Sequence, residues 1–250
     1  MIDAPPTWEG QTAPELARLL DLPRVEVLTS VPSTMDVAHA LGIDGASPGT
    51  LVLADEQTAG RGRGGRTWRS RAGAGIWMTL LERPNDTHAL SVLSIRLGLR
   101  AASVLDRYTA EPVRLKWPND LLVGKGKLGG ILVETRWRDS RVDWVAIGIG
   151  VNIGPTDDRP ATGSLRSGTP RLDVLAELVP ALRAASRARG TLSAEELSRW
   201  GDRDYAAGRF CRHPLPGRVQ GLAPDGSLLI ERGGETVLAR AGSLVLEEDP

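Results

Sequence analysis

The run "VRLKWPNDLLVGKGKLGGILVETRWRDSRVDWVAIGIGVNIG", residues 113–154, is the strongest indication of fold class in the sequence. It holds three strand-like segments, at 113–123, 127–137 and 142–154. Pro-Asn-Asp at 118–120 and Gly-Lys-Gly at 124–126 interrupt these segments, as turn residues do between strands. We therefore expect several strands of one sheet to come from this run.

The flanking sequence alternates between strand and helix patterns. Upstream we expect strands at 25–30, 49–57 and 76–82, a helix after residue 33 with Ser33 and Asp36 in capping-box spacing, and a long core helix at 89–108. Downstream we expect a loop at 154–170, then helices at 171–189 and 193–207. This mixture predicts an α+β fold in which a mixed β-sheet is flanked by helices.

The pattern changes near residue 209. Short alternating runs with Pro-Asp-Gly at 224–226 and Gly-Gly at 233–234 are typical of β-hairpins. We therefore divide the chain into a domain at 1–208 and a small C-terminal β-barrel at 209–250.

Composition excludes several classes of protein. Thirty-one basic and 31 acidic residues cancel, whereas nucleic-acid and membrane-surface binders carry a basic excess. A single cysteine, Cys211, and three scattered histidines, His39, His88 and His213, offer no disulfide framework and no metal-ligand spacing. The start lacks signal-peptide character and no run of about 18 apolar residues occurs, so we expect a cytoplasmic protein without membrane or nucleic-acid partners.

The segment "GRGRGGRTW" at 60–68 is unusually cationic and flexible. Gly60, Gly62 and Gly65 match a dinucleotide-binding spacing, but more glycine follows where that motif needs a helix. A solvated basic loop and an anion-binding loop both remain open. Of 31 basic residues only three are lysines, Lys116, Lys125 and Lys127, which suggests sites that need a compact ammonium at 116 and 127.

Four motifs in order resemble the biotin protein ligases. They are GRGRGGRTW at 60, KWPND at 116, KLGGILVE at 127 and GIGVN at 148, with Ser33-Thr34 upstream. The resemblance covers the chain from about residue 25 to its end. It implies a biotin/lipoate ligase-like α+β domain with an SH3-like C-terminal barrel. It also implies ATP-dependent formation of biotinyl-AMP, then transfer of biotin to a lysine of the biotin carboxyl carrier protein of an acyl-CoA carboxylase.

The resemblance also assigns residues. The implied contacts to biotin, ATP or their adenylate are Ser33, Thr34, Met35, Gln57, Arg61, Gly62, Arg63, Arg66, Trp68, Asn119, Asp120, Lys127, Gly130, Leu132, Gly148 and Asn152. Lys127, Arg63 and Lys116 are implied in catalysis, and Asp120 in binding Mg²⁺. Met35 departs from an asparagine common in the family, and Gly64 from an arginine.

The residue chemistry is consistent with that assignment. Attack of a carboxylate on a phosphate is opposed by charge repulsion, so such a site needs cations and a divalent metal more than a general base. The sequence supplies cations, and it contains no Walker A motif to hold ATP.

Structural roles remain open for several of these residues. Ser33-Thr34 can be a helix cap, Asn119-Asp120 a turn and Gly129-Gly130 a bulge, while Trp117 and Leu132 are expected in the core.

Three alternative functions also remain. Lipoate-protein ligation uses the same chemistry on a related fold. A DNA-binding repressor would need more than the roughly 22 residues that precede the first strand. An RNA-binding module would need aromatic residues in the tail, which has none after Phe210.

Overall fold

The structure, a computed structural model, describes residues 5–154 and 162–247. The predicted loop at 154–170 and the predicted C-terminal barrel are therefore described only in part, because residues 155–161 and 248–250 lie outside these ranges.

Helices α1–α5 are Ala13–Leu19, Thr34–Ile43, Leu93–Leu105, Arg171–Ser186 and Ala194–Arg203. Strands β1–β14 are Thr7–Trp8, Gln11–Thr12, Arg24–Val31, Thr50–Gln57, Gly75–Glu82, Arg114–Lys116, Asp120–Val123, Gly126–Arg138, Arg141–Asn152, Phe210–His213, Gly217–Leu222, Leu228–Arg232, Glu235–Ala239 and Val245–Leu246.

Within the described ranges, seven strands form one mixed sheet in the order β3-β4-β5-β9-β8-β7-β6. Only β3 and β4 are parallel, and the remaining neighbours are antiparallel. The run at 113–154 supplies four of these strands, because the first predicted segment folds back at Trp117–Asn119 into β6 and β7. The α+β class with a mixed sheet and flanking helices is confirmed.

The two faces of the central strands have different roles. Ile147, Ile149 and Val151 alternate along β9 and are buried in the core. The intervening positions include Gly148 and Gly150, and α2 packs on that face through Met35, which lies against Gly148. The period of two thus separates a hydrophobic core from a nearly side-chain-free surface.

The predicted core helix at 89–108 is confirmed as α3 with 3-10 turns at both ends. By length and composition alone, His88–Tyr108 would also pass as a membrane span, and 61% of its most apolar window is buried inside the fold. A buried helix with this composition is typical of a protein core.

Two local predictions need correction. Ser33 caps α2 as expected, but its hydroxyl accepts from the Met35 N–H and no capping box forms with Asp36, whose carboxylate pairs with Arg61. The first expected strand is at 25–30, but the N-terminal region ahead of it also forms β1, β2 and α1. It is fixed by the buried Trp8, over whose ring the Arg171 guanidinium lies at 4.8 Å.

The C-terminal segment forms a second sheet. In the described part of the tail, five antiparallel strands have the order β13-β12-β11-β10-β14. Cys211 is buried there, as expected of a small apolar residue, and burial raises the pKa of its thiol.

Asp204 ends α5, where the chain leaves the helices for this second sheet. Its Oδ1 accepts from the Ala206 N–H at 2.9 Å, while Oδ2 is buried and makes no hydrogen bond of normal geometry to any described residue. Burial raises the pKa of this carboxyl, and the hydrogen bond from the Ala206 N–H, followed by the Trp200 indole, lowers the pKa by less. Burial therefore destabilises the charged form of Asp204 in the folded protein.

We expect Asp204→Asn to stabilise the protein at neutral pH. The amide keeps the Oδ1 acceptor and removes a buried charge, at the smaller cost of an amide N–H that faces the Trp200 indole N–H. Because the pKa is raised in the folded state, wild-type stability falls as pH rises from the unfolded value of this carboxyl through its folded value. The gain in melting temperature should be a few degrees at pH 7.5 and should vanish near pH 4. A loss of stability at both pH values would contradict this account.

Candidate functional site

A cavity of about 330 Å³ opens on the glycine-bearing face of the large sheet. It lies between the N-terminus of α2, strands β5, β8 and β9, and the loop at 60–74, which we call the arginine loop. All sixteen residues expected to contact ligand line it: Ser33, Thr34, Met35, Gln57, Arg61, Gly62, Arg63, Arg66, Trp68, Asn119, Asp120, Lys127, Gly130, Leu132, Gly148 and Asn152. Lys116 is not among the lining residues; it lies on β6, opposite Asp120 on β7.

The cavity floor is flat because it is built on glycines. A Cβ at Gly148 would lie 2.7 Å from the Met35 methyl, and one at Gly150 would lie 2.5 Å from Trp68 Nε1. Gly130 lies under Trp68 and Lys127 with more room, 3.5 Å to the nearest ring atom. Of the adjacent glycines at 129 and 130, only Gly129 requires close approach, since a Cβ there would lie 2.7 Å from the Gly150 carbonyl oxygen, and a register shift in the β7–β8 pairing lies beside them.

One end of the cavity is a buried polar network. Thr34 donates its N–H to Gln57 Oε1 at 2.9 Å, and its hydroxyl lies 2.9 Å from that of Thr79. Gln57 Nε2 donates to Ser70 Oγ at 2.7 Å, which joins the network to the arginine loop. Satisfied groups of this kind present fixed donors and acceptors to a polar ligand.

The other end is cationic. Lys127 Nζ forms an ion pair with Asp120 Oδ1 at 2.7 Å and lies 5.3 Å from the Trp68 ring centroid. Arg63 also lines this region; burial, and then the Arg66 charge, lowers its pKa, and Asp120 partly opposes the shift. An anion bound here would relieve the repulsion between the arginines.

The two asparagines are partly structural. Asn119 Nδ2 donates to the Ile131 carbonyl at 2.6 Å, and Asn152 Nδ2 to the Lys127 carbonyl at 3.1 Å. Both hydrogen bonds hold β8, the strand that carries Lys127, so the two asparagines help to position Lys127 in the site.

The arginine loop is a narrow hairpin-like excursion. Trp68 N–H donates to the Gly60 carbonyl at 2.8 Å and Gly62 N–H to the Arg66 carbonyl at 2.7 Å. Gly64 and Gly65 turn the chain with φ of 63° and 73°, where a glycine is favoured over an arginine. Arg61 pairs with Asp36 at 2.8 Å, and Arg66 donates at 2.7 Å to Ser243 Oγ, in the segment that joins β13 to β14.

Sequence patterns missed several residues of the site. Thr79 and Trp77 line the cavity from β5, Thr162 approaches Lys127, and Asp36 and Glu134 supply carboxylates to the loop. Thr79 pairs with Gly148, and Trp77 pairs with Gly150, so the register of β5 against β9 brings both side chains to the cavity. Sequence patterns do not report this register. Leu132 is half-buried against the cavity, which corrects its expected place in the core, whereas Trp117 is buried as expected.

Comparison with known proteins agrees with these features. The sequence profile of the biotin/lipoate A/B protein ligase family matches residues 27–152. The biotin–acetyl-CoA-carboxylase ligase of Mycobacterium tuberculosis is 33% identical over 89% of this chain and 88% of its own length. The bifunctional ligase/repressor BirA of Bacillus spizizenii is 40% identical over 51% of this chain, and the match spans only 40% of that relative.

Solved structures give the same result. The biotin protein ligase from Aquifex aeolicus in complex with biotin and ATP matches with a TM-score of 0.74 at 26% identity, covering 89% of this chain and 98% of that one. The enzyme from Leishmania major in complex with biotinyl-5-AMP matches with a TM-score of 0.62 at 25% identity, covering 88% and 99% of the two chains.

Two glycines of the cavity floor, Gly150 and Gly130, differ in the room above them and can be compared by substitution. Gly150→Ala should displace Trp68 and loosen the arginine loop, because the new methyl would overlap the indole. Gly130→Ala makes only ordinary contacts and should be tolerated. We expect amide hydrogen exchange at 60–71 to accelerate about tenfold in the first variant and to stay unchanged in the second. Equal exchange in both variants would mean that Trp68 does not depend on the floor.

Proposed function

The chain belongs to the biotin/lipoate A/B protein ligase family, and on that premise we propose that it is an ATP-dependent biotin protein ligase. It activates biotin to biotinyl-5′-AMP and transfers the biotin to a lysine of a biotin carboxyl carrier protein of an acyl-CoA carboxylase. The observation that carries the proposal is the meeting of Lys127, the arginine loop and Trp68 over a glycine floor beside a closed polar network.

The first step needs electrostatic help. A biotin carboxylate oxygen attacks the α-phosphorus of ATP, the bond to the β-phosphate oxygen breaks, and pyrophosphate leaves. Both reactants are anions, so Lys127 and Arg63 serve by offsetting charge that builds up between them. Lys116, outside the cavity lining, acts on the nucleotide from the periphery.

In the second step an uncharged lysine amine of the carrier attacks the acyl carbonyl of the mixed anhydride. An amide forms, the bond to phosphate breaks, AMP leaves and the amine loses a proton. The polar network of Thr34 and Gln57 suits the ureido ring of biotin, and the Trp68 ring suits adenine. Closure of the arginine loop over the bound adenylate would also keep water from the anhydride.

Asp120 is a suitable partner for Mg²⁺. Magnesium in nucleotide sites takes one or two carboxylates and completes its shell with phosphate oxygens and water. In the part of the chain that the structure describes, no group of three or more His, Cys, Asp or Glu side chains is placed to hold a metal alone, which fits an ion that arrives with ATP. When bound, the ion would neutralise the phosphates; Asp120 would hold it after parting from Lys127.

Further features of the proposal concern the rest of the chain. We divide it at residue 208, and the tail to 250 is proposed as an SH3-like barrel, since all strands of the second sheet lie at Phe210–Leu246. The proposed site of action is the cytoplasm, where ATP and carrier protein occur together.

The decisive assay supplies ATP and Mg²⁺ with either biotin or lipoate and measures pyrophosphate. Release of pyrophosphate with biotin but not with lipoate supports the proposal. Release only with lipoate would instead identify a lipoate-protein ligase, since the family includes both activities. No release with either acid would overturn ligation.

The lysines supply a charge-conserving test. Lys127→Arg should reduce biotin-dependent pyrophosphate release by about a hundredfold or more, because a planar guanidinium does not replace a compact ammonium aimed at a developing charge. Lys125→Arg, at an exposed neighbouring position, should be silent and is the control. Full activity of Lys127→Arg would remove Lys127 from this role.

Ligand should also protect the arginine loop. Trypsin should cut the free protein first between residues 61 and 71, where the loop is glycine-rich and exposed. Biotin with ATP should slow these cuts by about tenfold or more, and ATP alone far less, because the adenylate offers partners to Arg61, Arg63 and Trp68 together. Unchanged cleavage would show that the loop does not close on ligand.

A further inference from the structure

His39 on α2 belongs to a chain of contacts that ends in the arginine loop. Trp144 Nε1 donates to His39 Nδ1 at 3.0 Å, and His39 Nε2 lies 2.9 Å from Glu134 Oε2. The same Glu134 oxygen lies 3.5 Å from Arg61 Nη2, whose nearer partner is Asp36 at 2.8 Å. These contacts join α2, β8, β9 and the loop.

The donor set fixes the state of the imidazole. An indole N–H can only donate, so His39 Nδ1 must accept and carries no proton. The ring proton is then on Nε2, which donates to Glu134. Trp144 is buried against Gly42, where a Cβ would lie 2.6 Å from its ring, so this donor cannot turn away. A fixed indole thus orients a neutral histidine toward one carboxylate oxygen.

Glu134 in turn bears on the base of the loop. Arg61 forms an isolated backbone bridge with Thr67, so its backbone closes the hairpin-like excursion that carries Arg63 and Arg66. The Arg61 side chain lies between carboxylates from two different elements, Asp36 and Glu134. Where Glu134 points therefore influences where the loop base lies.

We propose that His39 is a positioning residue, which acts through Glu134 on Arg61 and so holds the base of the arginine loop for the adenylation step. The part of this inference that concerns adenylation rests on the proposed function, whereas the coupling of His39 to the loop stands apart from it. Its function is mechanical: the imidazole neither contacts the cavity nor transfers a proton in the reaction.

Two substitutions of His39 test its hydrogen bonds to Trp144 and to Glu134 separately. In His39→Asn the amide oxygen takes the place of Nδ1 and can accept from Trp144, but nothing reaches Glu134. In His39→Gln the amide nitrogen takes the place of Nε2 and can donate to Glu134. Glu134→Gln leaves the histidine and its indole contact in place and removes the charge that attracts Arg61, so it tests the same link without disturbing the buried tryptophan.

The first readout needs no activity. In the ligand-free protein, we expect tryptic cleavage after Arg61 and Arg63 to become about threefold to tenfold faster in His39→Asn and Glu134→Gln, the size expected for one partly exposed hydrogen bond of ordinary strength. His39→Gln should match wild type. Cleavage after Arg71 is the internal control, because Asp55 holds the next turn by accepting from the Gly73 N–H at 3.2 Å.

The second readout uses catalysis, after wild-type activity with biotin has been measured. His39→Asn should raise the KM for biotin or ATP threefold to tenfold with kcat changed less than twofold, and His39→Gln should restore it. In the Glu134→Gln background, His39→Asn should add nothing further.

The opposite pattern would overturn the proposal. If His39→Gln loosens the loop and His39→Asn does not, the histidine only supports Trp144; additive effects of His39→Asn and Glu134→Gln would also refute the link. A wild-type enzyme inactive with biotin, but with the cleavage pattern described, would refute the proposed function and leave the coupling intact.

Discussion

The site depends on the glycines of β8 and β9, which leave the cavity face of these paired strands nearly free of side chains. Their antiparallel register places Gly130 opposite Gly150 and Leu132 opposite Gly148. The same strands bury branched residues such as Ile149 and Ile131 on the reverse face, where α3 packs. Two strands therefore stabilise the fold on one face and leave room for a flat ligand on the other. Met35 and Trp68 can approach the sheet only because Gly148 and Gly150 carry no Cβ.

Charge is balanced across elements that are far apart in sequence. The arginine loop looks isolated from acids when only its neighbours are considered, yet Asp36 and Glu134 both pair with Arg61. These carboxylates are partly exposed, at 57% and 34%, so the pairs contribute little to stability individually. Such pairs hold the base of the loop near the cavity before ligand arrives, although each contributes only about 1 kcal/mol or less.

The fold and the cavity lining were largely predictable, for different reasons. Strands and α3 follow from periodicity, which reports local burial. The clustering of sixteen lining residues follows from motifs that match a known family. The N-terminal hairpin was missed because Trp8 is fixed by Arg171, a partner far away in the sequence. The His39 contacts were missed for the same reason: three scattered histidines show no spacing, and pairing between elements leaves no periodic signal.

The Lys127–Asp120 pair links the two ligands of the proposed reaction. Both side chains are partly exposed, and each is the partner of the other in the ligand-free cavity. A substrate anion that engages Lys127 releases Asp120, and a cation that engages Asp120 releases Lys127. Each event lowers the free-energy cost of the other, so by linkage the nucleotide and its Mg²⁺ should favour one another's binding by the same factor. Before ligand arrives, each side chain of the pair thus serves as the counterion of the other.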